Sequence, residues 1–482
     1  MQNVNLVPML ILIGYVILTL IIANMVLRRK LGSEHYLVAG RALPAIMVMA
    51  VVLGDWLGGG STVGVCQRGY NEGIVGWIYP ISIGAGLLIF SFTLAGAYRK
   101  LKAITIAEVA GKVFGTRTRI SSAIVIGVAY FAVAITQLVA GGALLAPLLG
   151  VDKWLAELIA ALIFIAVITA GGLTSVAAVN IVQCVVIYVG MLLGLTFSLA
   201  LVGEGSILNG LSVLNSELPA SFWSFGSIAP VKVSGEVLGT ILSCFVAQAA
   251  LTGVFAAKEE KAAVKGTKLA GILIIPIGIT FVLLGMCARI HYGDALPFGL
   301  SAGPAMMLSL HPVVAGIALC GLFAAIISTG PLCFLAPTQI LIRDVYTAFI
   351  NPEASDKTVL LYSRILGIAL VGLGWVLAVA VTNILDTLFW AFALRSAIAV
   401  IVIMVAYLGS RRVSEDGAFW GLVAGIVVLI VWTLLKSPYE IHVAVPLVVI
   451  IMIVTPLVSR FRKRRKELDP EVIEALYGEK RR

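Results

Sequence analysis

Residues 49–64 read MAVVLGDWLGGGSTVG, and the way this stretch has to fold decides the architecture around it. It sits in an apolar run, residues 44–66, of the length that crosses about 30 Å of hydrocarbon as a helix. Lipid offers no hydrogen-bond partners, so a spanning segment must satisfy its own backbone. Asp55 followed by Gly58, Gly59 and Gly60 supports a continuous helix poorly, and an interruption at that depth needs a cavity or an ion to face. The reading is a helix that unwinds near Asp55, with carbonyls at Leu53 and Trp56 free to face a cation. Asp55 then caps the second half-helix or adds negative charge near the ion. The alternative is a flexible helix whose glycines serve close packing.

The rest of the chain fits a membrane setting. Of 482 residues, 60% are hydrophobic and only 12% charged, and mean hydropathy is +1.08, well beyond a soluble domain. Apolar runs fall near residues 5–27, 44–66, 73–98, 120–148, 152–170 and 174–202. A second series lies near 235–257, 269–291, 312–342, 358–382, 386–408, 417–435 and 440–459, giving about thirteen spanning helices in an all-α polytopic protein. The first run has no positive residue before it and is too long for a signal-peptide core, so it reads as a retained helix. Six cysteines stand singly in apolar surroundings, as free buried thiols do.

The net charge of +10 does not form a nucleic-acid face. Lys and Arg cluster between apolar runs, on alternate connections: Arg28 to Lys30; Arg99, Lys100, Lys102, Lys112, Arg117 and Arg119; Lys258, Lys261, Lys265 and Lys268; Arg411 and Arg412. These loops read as cytoplasmic, which places the N-terminus outside and the C-terminus, with its basic run RFRKRRK at 460–466, inside the cell membrane. The loop at 206–235 divides the chain near its middle. Residues 1–30 then form a peripheral helix and 31–410 a ten-helix core of two five-span repeats, about 44–202 and 235–408, the second inverted. Two C-terminal helices at 411–462 and a basic tail at 463–482 complete the organisation.

A second interruption is expected at residues 323–337, FAAIISTGPLCFLAP, where the hydroxyls of Ser328 and Thr329 precede Gly330 and Pro331. Na+ favours neutral hydroxyl and carbonyl oxygens, and none of these groups has to lose a proton to serve. The other reading is hydroxyls bonding back to the preceding helical turn. Further polar residues inside spans are Gln137, Asn180, Gln183, Gln248, Thr252 and Arg395. A buried arginine meets a carboxylate, faces water or binds an anionic solute. Trp77, Tyr79, Phe245, Phe389 and Trp390 suit pocket walls or gates, though such aromatics also serve packing and interface anchoring.

Five segments in order resemble the sodium:solute symporter family, whose members carry proline, pantothenate, sugars, monocarboxylates and related solutes. They are residues 36–44 (YLVAGRALP), 104–115 (ITIAEVAGKVFG), 171–183 (GGLTSVAAVNIVQ), 255–266 (FAAKEEKAAVKG) and 324–346, the last closing on Asp344. The resemblance implies a LeuT-type 5+5 inverted-repeat transporter. It also implies a sodium site made of the carbonyls of Leu53, Trp56 and Ala325 with the hydroxyls of Ser328 and Thr329, and Na+ as the coupling ion. Asn180 stands where many members carry an aspartate linked to ion passage.

The expected function is Na+-coupled symport of a small organic solute by alternating access, with an amino acid or monocarboxylate favoured by Arg395. Candidate solute-binding residues are Asp55, Gly58, Gly59, Trp77, Gln248, Trp390 and Arg395. The expected partners are the solute, the sodium ion and the bilayer. Proton coupling through Asp55 is one alternative, and a sensor or channel without coupled transport is another, although the tail after Arg462 is too short for an effector domain. No His-Glu-x-x-His, nucleophile elbow or phosphate loop points to an enzyme.

Overall fold

The computed structural model describes residues 6–27, 39–170, 173–297, 300–409, 412–462, 468 and 470–477. Arg28 to Lys30, Arg411, the basic run beyond Arg462, and the first residues of the family-like segments at 36–44 and 171–183 lie outside them. The described residues are helical almost throughout. In chain order the first elements are α1 (Leu6–Leu27), α2 (Ala45–Trp56), α3 (Val65–Glu72), α4 (Ile78–Thr93), α5 (Ala95–Lys100), α6 (Ile106–Phe114), α7 (Thr116–Leu149), α8 (Lys153–Ala170), α9 (Leu173–Val202) and α10 (Ile207–Glu217). There follow α11 (Pro230–Ser243), α12 (Gln248–Phe255), α13 (Glu260–Tyr292), α14 (Ala302–Leu308), α15 (Pro312–Ile340), α16 (Asp356–Ala378), α17 (Ile384–Leu408), α18 (Glu415–Leu434), α19 (Ala444–Phe461) and α20 (Pro470–Tyr477).

Short polar residues start the helices that follow connections, by accepting the free N–H groups of the first turn. Thr105 accepts from Glu108 at the start of α6, Asn383 from Leu385 and Asp386 at α17, and Ser414 from Gly417 at α18. Ten helical segments are long and apolar enough to cross a membrane, accompanied by two shorter apolar helices, Leu6–Ile22 and Ala45–Trp56. Among the described residues the number is ten, so the expected thirteen are not confirmed, in part because the unwinding after Trp56 leaves α2 as a 12-residue half-helix.

Both five-helix blocks open on a broken helix. In the first, α2 stops at Trp56 and the chain resumes through a π-helical turn, Gly60–Gly64, into α3. In the second, α11 ends at Ser243 and α12 begins at Gln248. The break expected at 323–337 is absent: α15 runs unbroken through Pro331 and Pro337. Helices packed around it let α15 tolerate the two bonds that the prolines remove, and nearly every residue from Ala315 to Ile340 is buried.

At the centre, α2 packs on α9, α12, α13 and α15, while α7 packs on α15 and α17. The α18–α19 pair flanks α17, and α1 lies along α15 and α9. The only β-type pairing among the described residues is the parallel bridge of Leu43 with Ala257, in which Leu43 N donates to Ala256 O at 3.0 Å and Lys258 N to Leu43 O at 2.9 Å. It ties the approach to α2 to the exit of α12, so the two broken helices share an anchor at one end.

Candidate functional site

The first break is held open by side chains from other helices. Leu57 leaves the helix with φ −89° and ψ 54°, its N–H still reaching Leu53 O, and the chain turns through Gly58 and Gly59. Gln137, on α7, accepts from Gly59 N at 2.7 Å, and the Ser61 hydroxyl donates to Trp56 O. Glycine is required at position 58 by crowding, since a Cβ there would lie 2.7 Å from Gln137 Oε1 and 2.9 Å from Thr329 Cβ. The expected role of Asp55 as a cap is met on the other broken helix: Asp55 Oδ2 accepts from Ala250 N in the first turn of α12, at 3.1 Å. Tyr130, also on α7, donates to the same Oδ2 at 3.1 Å and accepts from Ala249 N at 3.0 Å. Asp55 and Tyr130 thus staple one break to the other, each meeting backbone groups that a straight helix would have bonded internally.

Facing the first break across α15 is a cluster of neutral oxygens. Ser328 Oγ lies 2.8 Å from Ala325 O and 3.2 Å from Gly54 O, and Thr329 Oγ1 lies 2.5 Å from Gly54 O. Both hydroxyl residues are buried. Of the five expected sodium ligands, the structure brings together Ala325, Ser328 and Thr329. The carbonyls of Leu53 and Trp56 accept from Leu57 N and the Ser61 hydroxyl instead, and Gly54 supplies the α2 carbonyl nearest the hydroxyls. Sequence reasoning missed Gly54 because nothing local says which carbonyl of a broken turn points at a distant helix. Its lack of a side chain is the available signal: a Cβ there would lie 2.4 Å from Asn180 Nδ2. Four neutral oxygens on two elements suit a hard monovalent cation.

Asp55, Trp56, Gly58, Gly60, Ser61, Tyr79, Val133, Gln137, Leu388, Phe392 and Arg395 line a narrow cavity with about 10 Å³ of free space, room for one water molecule. Arg395, 2% exposed, sits among the rings of Phe392, Tyr130 and Trp56, with 4.5, 4.9 and 5.1 Å to their centroids, and its Nε donates to the Ser243 hydroxyl at the end of α11. The cavity therefore draws on the first break, α4, α7 and α17, with Ser243 of the second break holding Arg395 from behind. Of the expected solute residues, Asp55, Gly58 and Arg395 line it and Gly59 adjoins it. Trp77 donates to Ile275 O at 2.9 Å and Trp390 to Thr433 Oγ1 at 3.2 Å, both outside the cavity. Gln248 also points away, accepting from Ile106 N at 2.8 Å and donating to Ile104 O at 3.1 Å. Tyr79, Tyr130, Ser243, Leu388 and Phe392 join the site without having stood out as polar or breaking residues, except that Tyr79 is one of the aromatics expected at a pocket wall.

The two ends of the cavity differ. On one side Leu388 rests on Gly60 and Leu385 on Gly64, a thin layer below a vestibule of about 390 Å³ lined by Gln67, Arg68, Lys153, Lys232, Glu236 and Asp386, among others. Arg68 bridges Glu236 at 2.9 Å and Glu72 at 2.6 Å, joining α3 to α11. On the other side the packing is thick. Asp344 is fully buried, accepting from Thr105 Oγ1 at 2.8 Å and from Arg119 at 2.6 and 2.8 Å, while Arg99 donates to Ala257 O and Arg41 to Lys102 O.

Comparison with known proteins bears on the family and the fold. Residues 36–425 match the model of the sodium:solute symporter family. The chain is 25% identical to sodium/glucose cotransporter 4 of Danio rerio, over 84% of this chain and 68% of that protein. It is also 25% identical to the uncharacterized symporter YwcA of Bacillus subtilis, over 88% and 85%. Among solved structures it superposes on a Na+-coupled sialic acid symporter in a substrate-bound outward-open state with a TM-score of 0.81, at 17% identity, covering 96% of this chain and 99% of that one. Mhp1, a nucleobase-cation-symport-1 family transporter, gives a TM-score of 0.58 at 16% identity, over 91% of this chain and 97% of that one. These likenesses establish the LeuT-type fold.

Proposed function

The chain belongs to the sodium:solute symporter family, and on that premise we propose that it is a multi-pass symporter that uses Na+ at the α2–α15 junction to drive uptake of a small organic solute, an amino acid or monocarboxylate in type, by alternating access. The observation that carries the reading is the oxygen cluster of Gly54, Ala325, Ser328 and Thr329 set one residue from a cavity-lining aspartate. Both hydroxyls donate into carbonyls, and Na+ would be held by those same oxygens. Binding then ties α15 to the broken helix without a change of charge on any ligand.

The end of the bundle carrying Arg41, Arg99, Arg119 and Lys258 is the cytoplasmic one on the basic-loop rule. The thick closure at Asp344 is then the inner gate and the vestibule above Leu385 and Leu388 the outward approach. Alternating access requires the inner gate to open once ion and solute are bound. Asp344→Ala removes a buried carboxylate from Arg119 and Thr105, and a loss of about 3 kcal/mol shifts the closed-to-open ratio by on the order of a hundredfold. Reagents applied from the inner side should then reach a cysteine placed at the cavity faster than in the parent protein; unchanged accessibility would remove Asp344 from the gate.

The function itself is tested with purified protein in liposomes, given labelled amino acids, monocarboxylates, pantothenate and sugars with an inward Na+ gradient or none. Uptake of one solute class only with Na+ is the expected result. Uptake driven by a pH gradient with Na+ absent would overturn the ion assignment.

A further inference from the structure

Resting on the symport reading above, we propose that the solute is a small monocarboxylate without a charged amino group, its carboxylate gripped by the guanidinium of Arg395, and that Asp55 serves the protein rather than the solute. Arg395 lies near the middle of α17 and lines the cavity. Its one hydrogen bond among the described residues runs from Nε to Ser243, and no carboxylate lies within ion-pair distance of it among them. Three rings around it stabilise the cation through their faces, but they leave the planar fork of its two amino groups without acceptors. A carboxylate fills such a fork with two parallel hydrogen bonds.

Among the described lining residues Asp55 is the one carboxylate, and it already serves protein donors: Tyr130 and Ala250 N on Oδ2, each at 3.1 Å, with Cys333 Sγ 3.7 Å from Oδ1. Gln137 Oε1 is taken by Gly59 N, and the Ser61 hydroxyl donates to Trp56 O. An α-amino acid would bring a second cation beside Arg395 and make it compete with these donors for the one carboxylate, at a cost in a buried site.

Charge balance then links solute to ion. Asp55 and Arg395 act on each other across the cavity and sum to zero. Na+ among the neutral oxygens of Gly54, Ala325, Ser328 and Thr329 leaves a net positive charge in a low-dielectric core, and a carboxylate on Arg395 restores neutrality. Each ligand therefore raises the affinity for the other, which is the thermodynamic requirement for coupling.

The test uses full-length protein in liposomes and in detergent, with propionate, lactate and pyruvate set against alanine, proline and propionamide. The expected result is Na+-driven uptake of the acids, with no competition from propionamide, and a rise in melting temperature when acid and Na+ are both present. In Arg395→Gln, acid affinity should fall by on the order of a hundredfold, whereas Na+ alone should still raise the melting temperature and do so at lower concentration, because a neighbouring positive charge is gone. Arg395→Lys should recover part of the loss as a point charge without the fork. Alanine or proline moved in preference to propionate and lactate, or acid affinity unchanged in Arg395→Gln, would overturn the inference while leaving Na+ symport standing. Acid uptake driven by a pH gradient without Na+, absent from protein-free liposomes and lost in Arg395→Gln, would instead support the role of Arg395 and overturn the sodium reading.

Discussion

Sodium-stimulated uptake is expected to disappear when Ser328 and Thr329 are both replaced by Ala. The double substitution removes the two side-chain oxygens of the proposed ion site and leaves the carbonyls of Gly54 and Ala325, too few to replace the hydration shell of Na+. Each lost hydroxyl contact to a charged ligand is worth roughly 1.5–3 kcal/mol, so Na+ affinity should drop by about three decades. α15 should survive, because neither hydroxyl caps it and alanine favours a helix. The measurement is initial uptake rate against Na+ concentration in liposomes, with Ser328→Ala alone as an intermediate case that keeps Thr329 on Gly54 O. Sodium dependence that matches the parent protein in the double variant would sink the site assignment.

The second large effect is expected at Asp55. Asp55→Ala strands the Tyr130 hydroxyl and Ala250 N–H and leaves Arg395 without the negative charge that faces it. Two buried donors without partners and an uncompensated cation cost about 3–5 kcal/mol together, a clear fall in melting temperature accompanied by loss of uptake. Asp55→Asn separates the causes. Its amide oxygen still accepts from both donors, so melting temperature should recover most of the loss while uptake stays impaired through the altered charge balance. Equal melting temperatures for the Ala and Asn variants would show that the staple between the two broken helices contributes little to stability.

The first break was legible because its cause is local: an acidic residue and three consecutive glycines inside an apolar run conflict with a continuous helix on any partner. The second break, between α11 and α12, gave no such sign. Residues 243–248 read SCFVAQ, without glycine or proline, and the groups that satisfy the freed N–H atoms of the next turn, Asp55 and Tyr130, lie well over a hundred residues earlier. In the opposite sense, Gly330 and Pro331 looked like a break and are none, because α15 is surrounded by protein that absorbs the irregularity. At the proposed site the hydroxyls were readable as a Ser–Thr pair in an apolar setting. The carbonyl they meet was not, since its register depends on how the turn unwinds, and it is Gly54 O that both hydroxyls reach. Trp77, Gln248 and Trp390 show the remaining limit: residue type says that a side chain wants a partner, and only packing says where that partner is.

The grip of Gln248 on the stretch between α5 and α6 is made entirely to main-chain atoms, Ile104 O and Ile106 N. That contact does not depend on the side chains of Ile104 and Ile106, although Thr105 between them serves Asp344 and Ile106 is buried. All six native cysteines are buried while Lys102 is exposed, so Lys102→Cys offers one selectively labelled spot on the moving seam, where a fluorescent dye would record each opening in a single molecule without touching the bonds that hold it shut.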